Sequence, residues 1–479
     1  MFIQPSRSIA ARFPGKAGIR DREATASSGV TDSLVAAGWA LLGASLSWWA
    51  SAQFSPHFYQ MEWINIWFQA DHPRVLGNML DMRGSHRSSV HPIFSILMVP
   101  LTNLLLFLGL TPLAAARALM AGAGGLTVAL FYLSMRGLTL SLPIAGLLTA
   151  GLLVSSTYLY WFAVIETYPF AALGTAIMLW AVTSWRSRKA LPWALASAAT
   201  LAITTTNWSF GLAAAFFRLG LRRSIAVSLL AFAMVAGVAV VQRFTFEDAG
   251  VFFQPRVLKQ ESEFLRSARE EFSQAEAAKG ETPASVLRSI LLYSAVTAHP
   301  RVEPVQDGIL ESITVRRTDA GASPDWVYQY VKAHVPFIEE RVYNLLNNQH
   351  SPVLDQGWPG LAGMLGWIVL LACGIWGAIL HRPGRPAALA IGAFMLGQIA
   401  LHLVYGEITF LYAADFFPAL LALAAFAFFT PARRLAAVAA LAFVILGGFS
   451  NVAELRNSIA EANSITQKPL NPVLHGNKH

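Results

Sequence analysis

Long apolar segments, separated by short polar stretches, run through most of this chain. A run of about 20 apolar residues is the length that an α-helix needs to cross a bilayer. The pattern predicts an all-α polytopic membrane protein with about eleven transmembrane helices. The predicted spans are residues 33–52, 113–135, 140–161, 167–184, two helices within 191–217, 224–242, 361–380, 387–405, 409–430 and 435–449.

Composition and charge agree with this class. Of the 479 residues, 55% are hydrophobic and 13% are charged, whereas a soluble protein carries about 25% charged residues. The net charge of +8 comes from basic residues at the ends of apolar runs, as in the cytoplasmic loops of membrane proteins and unlike a nucleic-acid-binding face. We therefore expect contact with membrane lipid and no nucleic acid. The one cysteine, Cys373, excludes an intrachain disulfide.

The charge pattern predicts five regions in a bacterial-type cytoplasmic membrane. They are a basic cytoplasmic tail at 1–32, an N-terminal transmembrane module at 33–242 with its first extracytoplasmic loop at 53–89, an extracytoplasmic helical region at 243–360, C-terminal transmembrane helices at 361–450, and an extracytoplasmic tail at 451–479. Within the long hydrophilic region, charged periodic patterns predict helices over 257–278 and 325–348. The basic N-terminal tail has no apolar core, so we expect the first span to act as an uncleaved signal.

Two apolar segments do not fit single straight spans. Residues 90–110 begin at His91-Pro92 and contain Pro100, and if they crossed the membrane the later basic clusters would face outward. We expect this segment to re-enter the membrane or to lie in the interface. Residues 191–217 are long for one span and are interrupted by polar residues. This interruption predicts two short helices with a hinge at 206–208.

The first extracytoplasmic loop concentrates ionisable side chains between two apolar segments. They are Asp71, Arg74, Asp81, Arg83, His86, Arg87 and His91. Such groups are costly beside a bilayer and are usually retained for chemistry or transport. A carboxylate such as Asp71 can act as general base toward a hydroxyl, and Arg74, one helical turn later, can bind a phosphate. The alternative is an interfacial ion pair that anchors a helix.

The rest of this loop has two interpretations. The candidate phosphate-binding residues, which together would make a cationic pocket for a leaving phosphate, are Arg74, Arg83, His86, Arg87 and His91. The weak candidates for a metal site are Asp71, Asp81, His86 and His91. Two histidines separated by four residues in a loop lack the spacing of a helical zinc motif. No cofactor is therefore assigned, and a divalent metal stays an open alternative.

Glu166 lies among aromatic residues at the end of a predicted span. Aromatic rings suit stacking on a sugar, and a carboxylate beside them can accept hydrogen bonds from sugar hydroxyls. The same pattern also fits an interfacial aromatic belt that carries an incidental acid. Glu166 is therefore a candidate for orienting a sugar.

A late cluster consists of Tyr405, Glu407, Tyr412 and Asp415. Tyr412 and Asp415 are three residues apart and share one face of a helix. Because Asp415 lies within an apolar run, we expect it to pair with an arginine of the first loop. Two other polar residues in apolar runs, His402 and Asn207, are interpreted as a packed core histidine and as punctuation of the hinge.

These residues resemble the GT-C superfamily of integral-membrane glycosyltransferases, which includes the protein mannosyltransferases and the lipid A aminoarabinose transferase. Those enzymes carry an Asp-Glu-x-Arg-Tyr type motif in the first extracytoplasmic loop and a His-Pro motif before the next apolar run. Here Asp71-His72-Pro73-Arg74-Val75 stands at the first position and His91-Pro92 at the second. His72 replaces the second acid of the motif, and Val75 replaces its aromatic residue.

The resemblance implies transfer of a sugar from a polyprenyl-phosphate-linked donor, with Asp71 as catalytic base on the extracytoplasmic face. The acceptor would be an envelope glycan, a glycolipid or a protein, and one direct displacement would invert the anomeric centre. An O-antigen ligase-like or polymerase-like transferase is an alternative, as is a transporter of lipid-linked or anionic sugar phosphate. The basic residues of the long loop that the ligase alternative would use are His299, Arg301, Arg316, Arg317 and His334.

Overall fold

The computed structural model of the protein describes residues 17–59, 67–68, 70–81, 85, 87–252, 283–303, 345–347, 351–405 and 409–467. This part of the chain is largely helical. The α-helices are α1 (Ala17–Ala52), α2 (His72–Leu80), α3 (Phe94–Phe107), α4 (Pro112–Gly137), α5 (Leu142–Val154), α6 (Ser156–Trp161), α7 (Tyr168–Ser184), α8 (Ala190–Ile203), α9 (Trp208–Leu219), α10 (Leu221–Thr245), α11 (Pro283–Arg288), α12 (Trp358–Leu380), α13 (Arg385–Tyr405), α14 (Ala413–Ala424), α15 (Arg433–Ala442) and α16 (Gly448–Gln467).

Short turns of other helix types extend several of these elements. The 3₁₀ segments are Pro56–Tyr59, Thr205–Asn207, Val353–Asp355, Thr409–Tyr412 and Ala425–Phe429, and the π-helical segments are Ser289–Tyr293 and Phe443–Gly447. Two strands, β1 (Arg301–Glu303) and β2 (Leu345–Asn347), pair antiparallel with Val302 opposite Leu346. The described residues are therefore helical apart from this small two-stranded antiparallel sheet.

Seven helical segments in the described residues are long and apolar enough to cross a membrane. They are Gly29–Ala52, Pro112–Gly137, Leu221–Thr245, Trp358–Leu380, Arg385–Val404, Thr409–Phe429 and Arg433–Ser464. Four shorter apolar helices accompany them, namely α3, α5, α7 and α8. The predicted class, a polytopic helical membrane protein, is confirmed.

Helices α1 and α4 run antiparallel and are closely packed. Arg136 Nε donates to Asp32 Oδ1 at 2.7 Å near one end of the pair, and an Arg117 side-chain nitrogen donates to the Phe54 carbonyl at 3.1 Å near the other. Midway, a Cβ added to Gly125 would lie 2.4 Å from the Ala40 carbonyl oxygen. Only glycine allows this approach, because any side chain there would overlap the backbone of α1.

The break predicted at 206–208 is present between α8 and α9. Helix α8 ends at Ile203, one 3₁₀ turn follows, and α9 begins at Trp208. Trp208 Nε1 donates to Ser197 Oγ at 3.1 Å, and a Cβ added to Gly211 would lie 2.5 Å from the same Oγ. The two helices therefore fold back on each other, which confirms the prediction of two short helices.

Helix α3 begins and ends at the same end of the molecule. At its start, the Gln242 side chain donates to the Pro92 carbonyl at 2.8 Å, at the end of α10. After its last turn the chain reaches α4, whose early residue Arg117 contacts Phe54. Its 14 residues span about 21 Å, less than a bilayer core of about 30 Å. That residues 90–110 do not cross the membrane stays a prediction.

The alternation of helix directions gives the molecule two ends. The arginine end, defined by the basic residues that close the helices there, contains Arg136, Arg186, Arg188, Lys189, Arg218, Arg222, Arg223, Arg382, Arg385, Arg433 and Arg434. The loop end contains the first loop, the hinge between α8 and α9, and the starts of α7 and α14. Contacts across the loop end include His91 Nδ1 with the Ile203 carbonyl at 2.7 Å and Asn463 Oδ1 with the Ser55 amide at 2.8 Å.

Several predicted boundaries are wrong. Residues 140–161 form two helices that meet at Ser155, because the amides of Ser156 and Thr157 donate to the carbonyls of Ala295 and Ser294. Helix α1 begins at Ala17, inside the predicted N-terminal tail, and α16 continues to Gln467, inside the predicted C-terminal tail.

The prediction for 243–360 is only partly testable. The helix predicted over 257–278 and most of the one predicted over 325–348 lie outside the described residues. The end of the second one, at 345–347, is strand β2.

Candidate functional site

Asp71 and Arg74 form an ion pair at the loop end. Arg74 Nε lies 2.6 Å from Asp71 Oδ2, and the side chains are 14% exposed for Arg74 and 32% for Asp71. Arg74 Nη1 is buried without a hydrogen-bond partner among the described residues. Each residue of the pair can therefore still bind a ligand. Asp71 has a partly exposed carboxylate, and Arg74 has one guanidinium nitrogen that can donate a further hydrogen bond.

Asp71 occupies the position just before α2, where an aspartate usually caps the helix. Its carboxylate makes no capping hydrogen bond, and Pro73 occupies the first turn, where a missing amide hydrogen costs little. The carboxylate is instead turned to Arg74. Asp71 therefore pairs with Arg74 and does not stabilise the start of α2 as a cap.

Aromatic side chains fix the segment that leads to Asp71. The Trp67 ring stacks on Tyr160 at 5.4 Å, and its Nε1 donates to the Tyr160 carbonyl at 3.2 Å. Phe68 packs edge-on against Tyr160, Trp161 and Phe410. Phe68 has a φ of 50°, a strained backbone that tight packing must maintain. These contacts anchor the first loop on α6.

Glu166 lies directly behind Asp71. It is 1% exposed, its Oε1 accepts from the Asp71 amide at 2.9 Å, and its Oε2 accepts from the Thr167 amide at 2.7 Å. Burial raises the pKa of Glu166, and the positive charge of Arg74 acts against that rise. Glu166 therefore positions the backbone of Asp71, and its role in orienting a sugar stays a prediction.

Two histidines of the motif are buried and neutral. Burial lowers the pKa of His72 to about 4, and its Nδ1 lies 3.0 Å from the Ile165 carbonyl. Burial, together with the positive charge of Arg74, lowers the pKa of His91 to about 3. His91 is therefore uncharged at neutral pH and adds no positive charge to a phosphate pocket, which corrects that part of the prediction.

The other first-loop candidates are only partly described. Arg87 is exposed and has a φ of 60° at the turn that precedes His91, whereas Arg83 and His86 lie outside the described residues. Asp71 and Asp81 flank α2 on opposite ends, about 15 Å apart for ten helical residues, so they cannot ligate one ion. No group of three metal-ligating side chains occurs among the described residues.

The late cluster lies next to the first one. Asp415 is 1% exposed, and its Oδ1 is buried and has no hydrogen-bond partner among the residues that the structure describes. It is not paired with Arg74, whose Nε holds Asp71, nor with the exposed Arg87 in the described part of the chain. Tyr412 packs on Tyr168 at 5.6 Å. For Tyr405, the last residue of α13, the structure describes only the backbone.

Four residues near Asp415 were not predicted as site residues. The Asn207 amide interacts with the Asp415 carboxyl, and Asn207 also contacts Thr175 Oγ1 at 3.5 Å and Gln398 Nε2 at 3.4 Å. His402 is buried, and its Nε2 has no hydrogen-bond partner in the part of the chain that the structure describes. The signal available in the sequence was an amide or imidazole within an apolar run.

The helices and this polar cluster define the class as a multi-pass helical membrane protein with a buried polar site at one end. Neither a family model, nor a curated protein, nor a solved structure matches the chain.

Proposed function

We propose that the protein is a membrane glycosyltransferase that moves a sugar from a polyprenyl-phosphate-linked donor to a hydroxyl acceptor. The observation that carries this proposal is the state of Asp71. Its carboxylate is held by Arg74, is 32% exposed and is not used to cap α2. A fixed carboxylate with an oxygen open to solvent suits proton abstraction from a hydroxyl.

The proposed orientation places the loop end outside the cytoplasm of a bacterial-type cell. The basic residues of the short connections gather at the arginine end, while the short connections 162–167, 204–207 and 406–412 contain no lysine or arginine. Such a bias in short loops marks the cytoplasmic side. Adding α5 with α6, α7, α8 and α9 to the seven long segments gives eleven spans, with the N-terminus inside and the C-terminus outside.

The proposed reaction is one direct displacement. Asp71 accepts the proton of the acceptor hydroxyl, and the oxygen forms a bond to the anomeric carbon of the donor. The bond from that carbon to the phosphate oxygen breaks, and its electron pair leaves with the polyprenyl phosphate. Arg74 and Arg87 stabilise the negative charge of that phosphate, and the anomeric centre is inverted.

The substitution Asp71→Asn tests this function. Membrane vesicles that contain the protein are given undecaprenyl phosphate linked to a labelled hexose, and the label is followed into acceptor products. Asp71→Asn should lower transfer at least ~100-fold, the lower range of what a general base contributes. Binding of the labelled donor should persist, because the phosphate contacts are unchanged.

Asp248→Asn is the matched control, since Asp248 is an exposed acid at the loop end. This variant should transfer the sugar as fast as the wild type does. Unchanged transfer by Asp71→Asn would remove Asp71 from the mechanism. Label that crosses the vesicle membrane on its unaltered donor lipid, in both proteins alike, would instead identify a transporter.

The ligase-like alternative has less support. His299 Nδ1 is paired with Glu454 Oε2 at 2.9 Å, which leaves it as part of a structural contact. Arg301 lies in β1, and Arg316, Arg317 and His334 lie outside the described residues.

A further inference from the structure

A buried carboxyl group with one oxygen that has no hydrogen-bond partner among the described residues lies inside the helix bundle, beside the first-loop site. Asp415 stands in the first turn of α14, and its backbone carbonyl accepts from Thr175 Oγ1 at 2.9 Å. Its side-chain Oδ1 is shielded from solvent and has no hydrogen-bond partner within the described ranges of the chain. A buried polar atom left in this state is costly, and such a group is commonly retained for a ligand.

The cluster around Asp415 continues to the Asp71 site. Tyr168, at the start of α7, interacts electrostatically with Arg74, Glu166, Asp415 and Tyr412. Glu166 in turn accepts from the Asp71 amide at 2.9 Å. One polar region thus extends from the candidate base to the interior of α14.

The neighbours of Asp415 are aromatic rings and uncharged polar groups. The His402 ring lies 5.0 Å from Tyr412 and is tilted against it, and its Nε2 is buried without a partner. Asn207 contacts the side chain of Gln398 at 3.4 Å and interacts with Asp415. Aromatic faces with carboxyl, amide and imidazole groups can hydrogen-bond and pack against a ring that carries hydroxyls.

The charges near Asp415 argue against a phosphate there. The acid Glu166 faces Asp415, and Arg74 is held by Asp71. A phosphate at Asp415 would therefore enter a buried site where the described residues supply no cation to pair with it, and an unpaired buried charge is strongly unfavourable. A neutral hydroxyl donates a hydrogen bond to a carboxyl oxygen without that cost.

We infer that Asp415 and His402 form a subsite for the hydroxyl groups of the donor sugar, separate from the residues that hold its phosphate. The inference rests on the proposed function and assigns the sugar to the interior cluster and the phosphate to the first loop.

The test compares two lipids that differ only in the sugar. Purified protein is mixed with undecaprenyl phosphate and with undecaprenyl phosphate linked to a hexose, a pentose or an N-acetylhexosamine, and native mass spectrometry gives the ratio of the two bound forms. For at least one sugar, the wild type should favour the glycosylated lipid about tenfold, which corresponds to about 1.4 kcal/mol. Asp415→Asn should bring that ratio close to one while the bare lipid phosphate still binds.

His402→Phe separates recognition from folding. The phenyl ring keeps the contacts with Tyr412 and Phe416, and removing an unsatisfied buried nitrogen does not destabilise the fold. This variant should therefore keep its thermal stability and still lose part of the preference for the glycosylated lipid. Asp32→Asn, an acid-to-amide change at the arginine end, should leave the ratio unchanged.

Each result bears on one of the two proposals. Arg87→Gln should weaken the binding of both lipids to the same extent and leave the ratio of the two bound forms unchanged, because it changes only the phosphate contacts. If the wild type binds both lipids equally, or if Asp415→Asn keeps the ratio, the sugar subsite is overturned and the phosphate site stands. If the wild type binds no lipid of the panel, the proposed function fails and the subsite with it.

Discussion

Among the described residues, two aspartate–arginine pairs have nearly the same N–O distance, and one lies at each end of the molecule. Arg74 Nε lies 2.6 Å from Asp71 at the loop end, and Arg136 Nε lies 2.7 Å from Asp32 at the arginine end. The first pair joins residues of one short helix, whereas the second joins α1 to α4. The same chemical contact is therefore local in one case and connects two helices in the other.

The pairs differ most in how fully their atoms are used. Asp32 also accepts from the Tyr132 hydroxyl at 3.2 Å, and Arg136 also donates to the Leu140 carbonyl. At the loop end, Arg74 Nη1 has no partner among the described residues, and Asp71 is the more exposed of the two acids. A pair that saturates its own groups stabilises a fold, and a pair that leaves groups free is suited to a ligand.

The largest expected effect is a difference in sugar transfer between substitutions of the two arginines. Arg74→Gln should lower sugar transfer about 100-fold, equal to about 2.7 kcal/mol of barrier, because it removes the charge that orients Asp71 and contacts the phosphate. Arg136→Gln should leave transfer unchanged. The same vesicle assay measures both variants with the amount of folded protein normalised.

Comparable losses of sugar transfer in the two variants would contradict the conclusion that the Asp71–Arg74 pair serves a ligand and the Asp32–Arg136 pair serves the fold. A loss in Arg136→Gln alone would reverse it.

Only some of the breaks between helices could be predicted from the sequence. The polar interruption at Thr204–Asn207 correctly predicted the turn between α8 and α9, because a break in an apolar run is a local signal. The break at Ser155 was missed, since its cause lies in the distant carbonyls of Ser294 and Ala295.

The candidate site shows the same limit. Asp71 and Arg74 are three residues apart, so their pairing follows from helix geometry. The contact of Glu166 with the Asp71 amide depends on tertiary structure, and so does the fact that neither Arg74 nor Arg87 pairs with Asp415. Periodicity finds the charged residues and their faces, but it does not tell which distant group each one meets.

The second prediction concerns the electrostatic setting of the loop-end pair. The pKa of His91 is about 3 in the folded protein against an ordinary value of 6.5. The folded state thus favours the neutral ring, and stability is lost as the pH falls from about 6.5 toward 3. At pH 5 this loss amounts to about 2 kcal/mol, and His91→Asn should abolish it.

The measurement is the free energy of unfolding in detergent at pH 7.5 and at pH 5. His57→Asn, which replaces an exposed histidine, should keep the whole pH dependence of the wild type. His72, whose pKa burial lowers to about 4, contributes a further loss in both proteins. If His91→Asn and the wild type lose stability equally, His91 is already protonated or is accessible to water.

The smallest effect gives the sharpest contrast between the two ends. The Asp32 and Arg136 side chains are 20% and 24% exposed, so Asp32→Asn should cost about 1 kcal/mol of stability, less at high salt. A local pair three residues apart is worth only about 0.3–0.5 kcal/mol, so Asp71→Asn should destabilise the protein less. The order for transfer is the opposite, with Asp71→Asn inactive and Asp32→Asn unaffected. Thermal unfolding ranks the two variants by stability, and the transfer assay ranks them by activity. If Asp71→Asn proved the more destabilising change, its loss of activity would reflect folding and would no longer support a catalytic base.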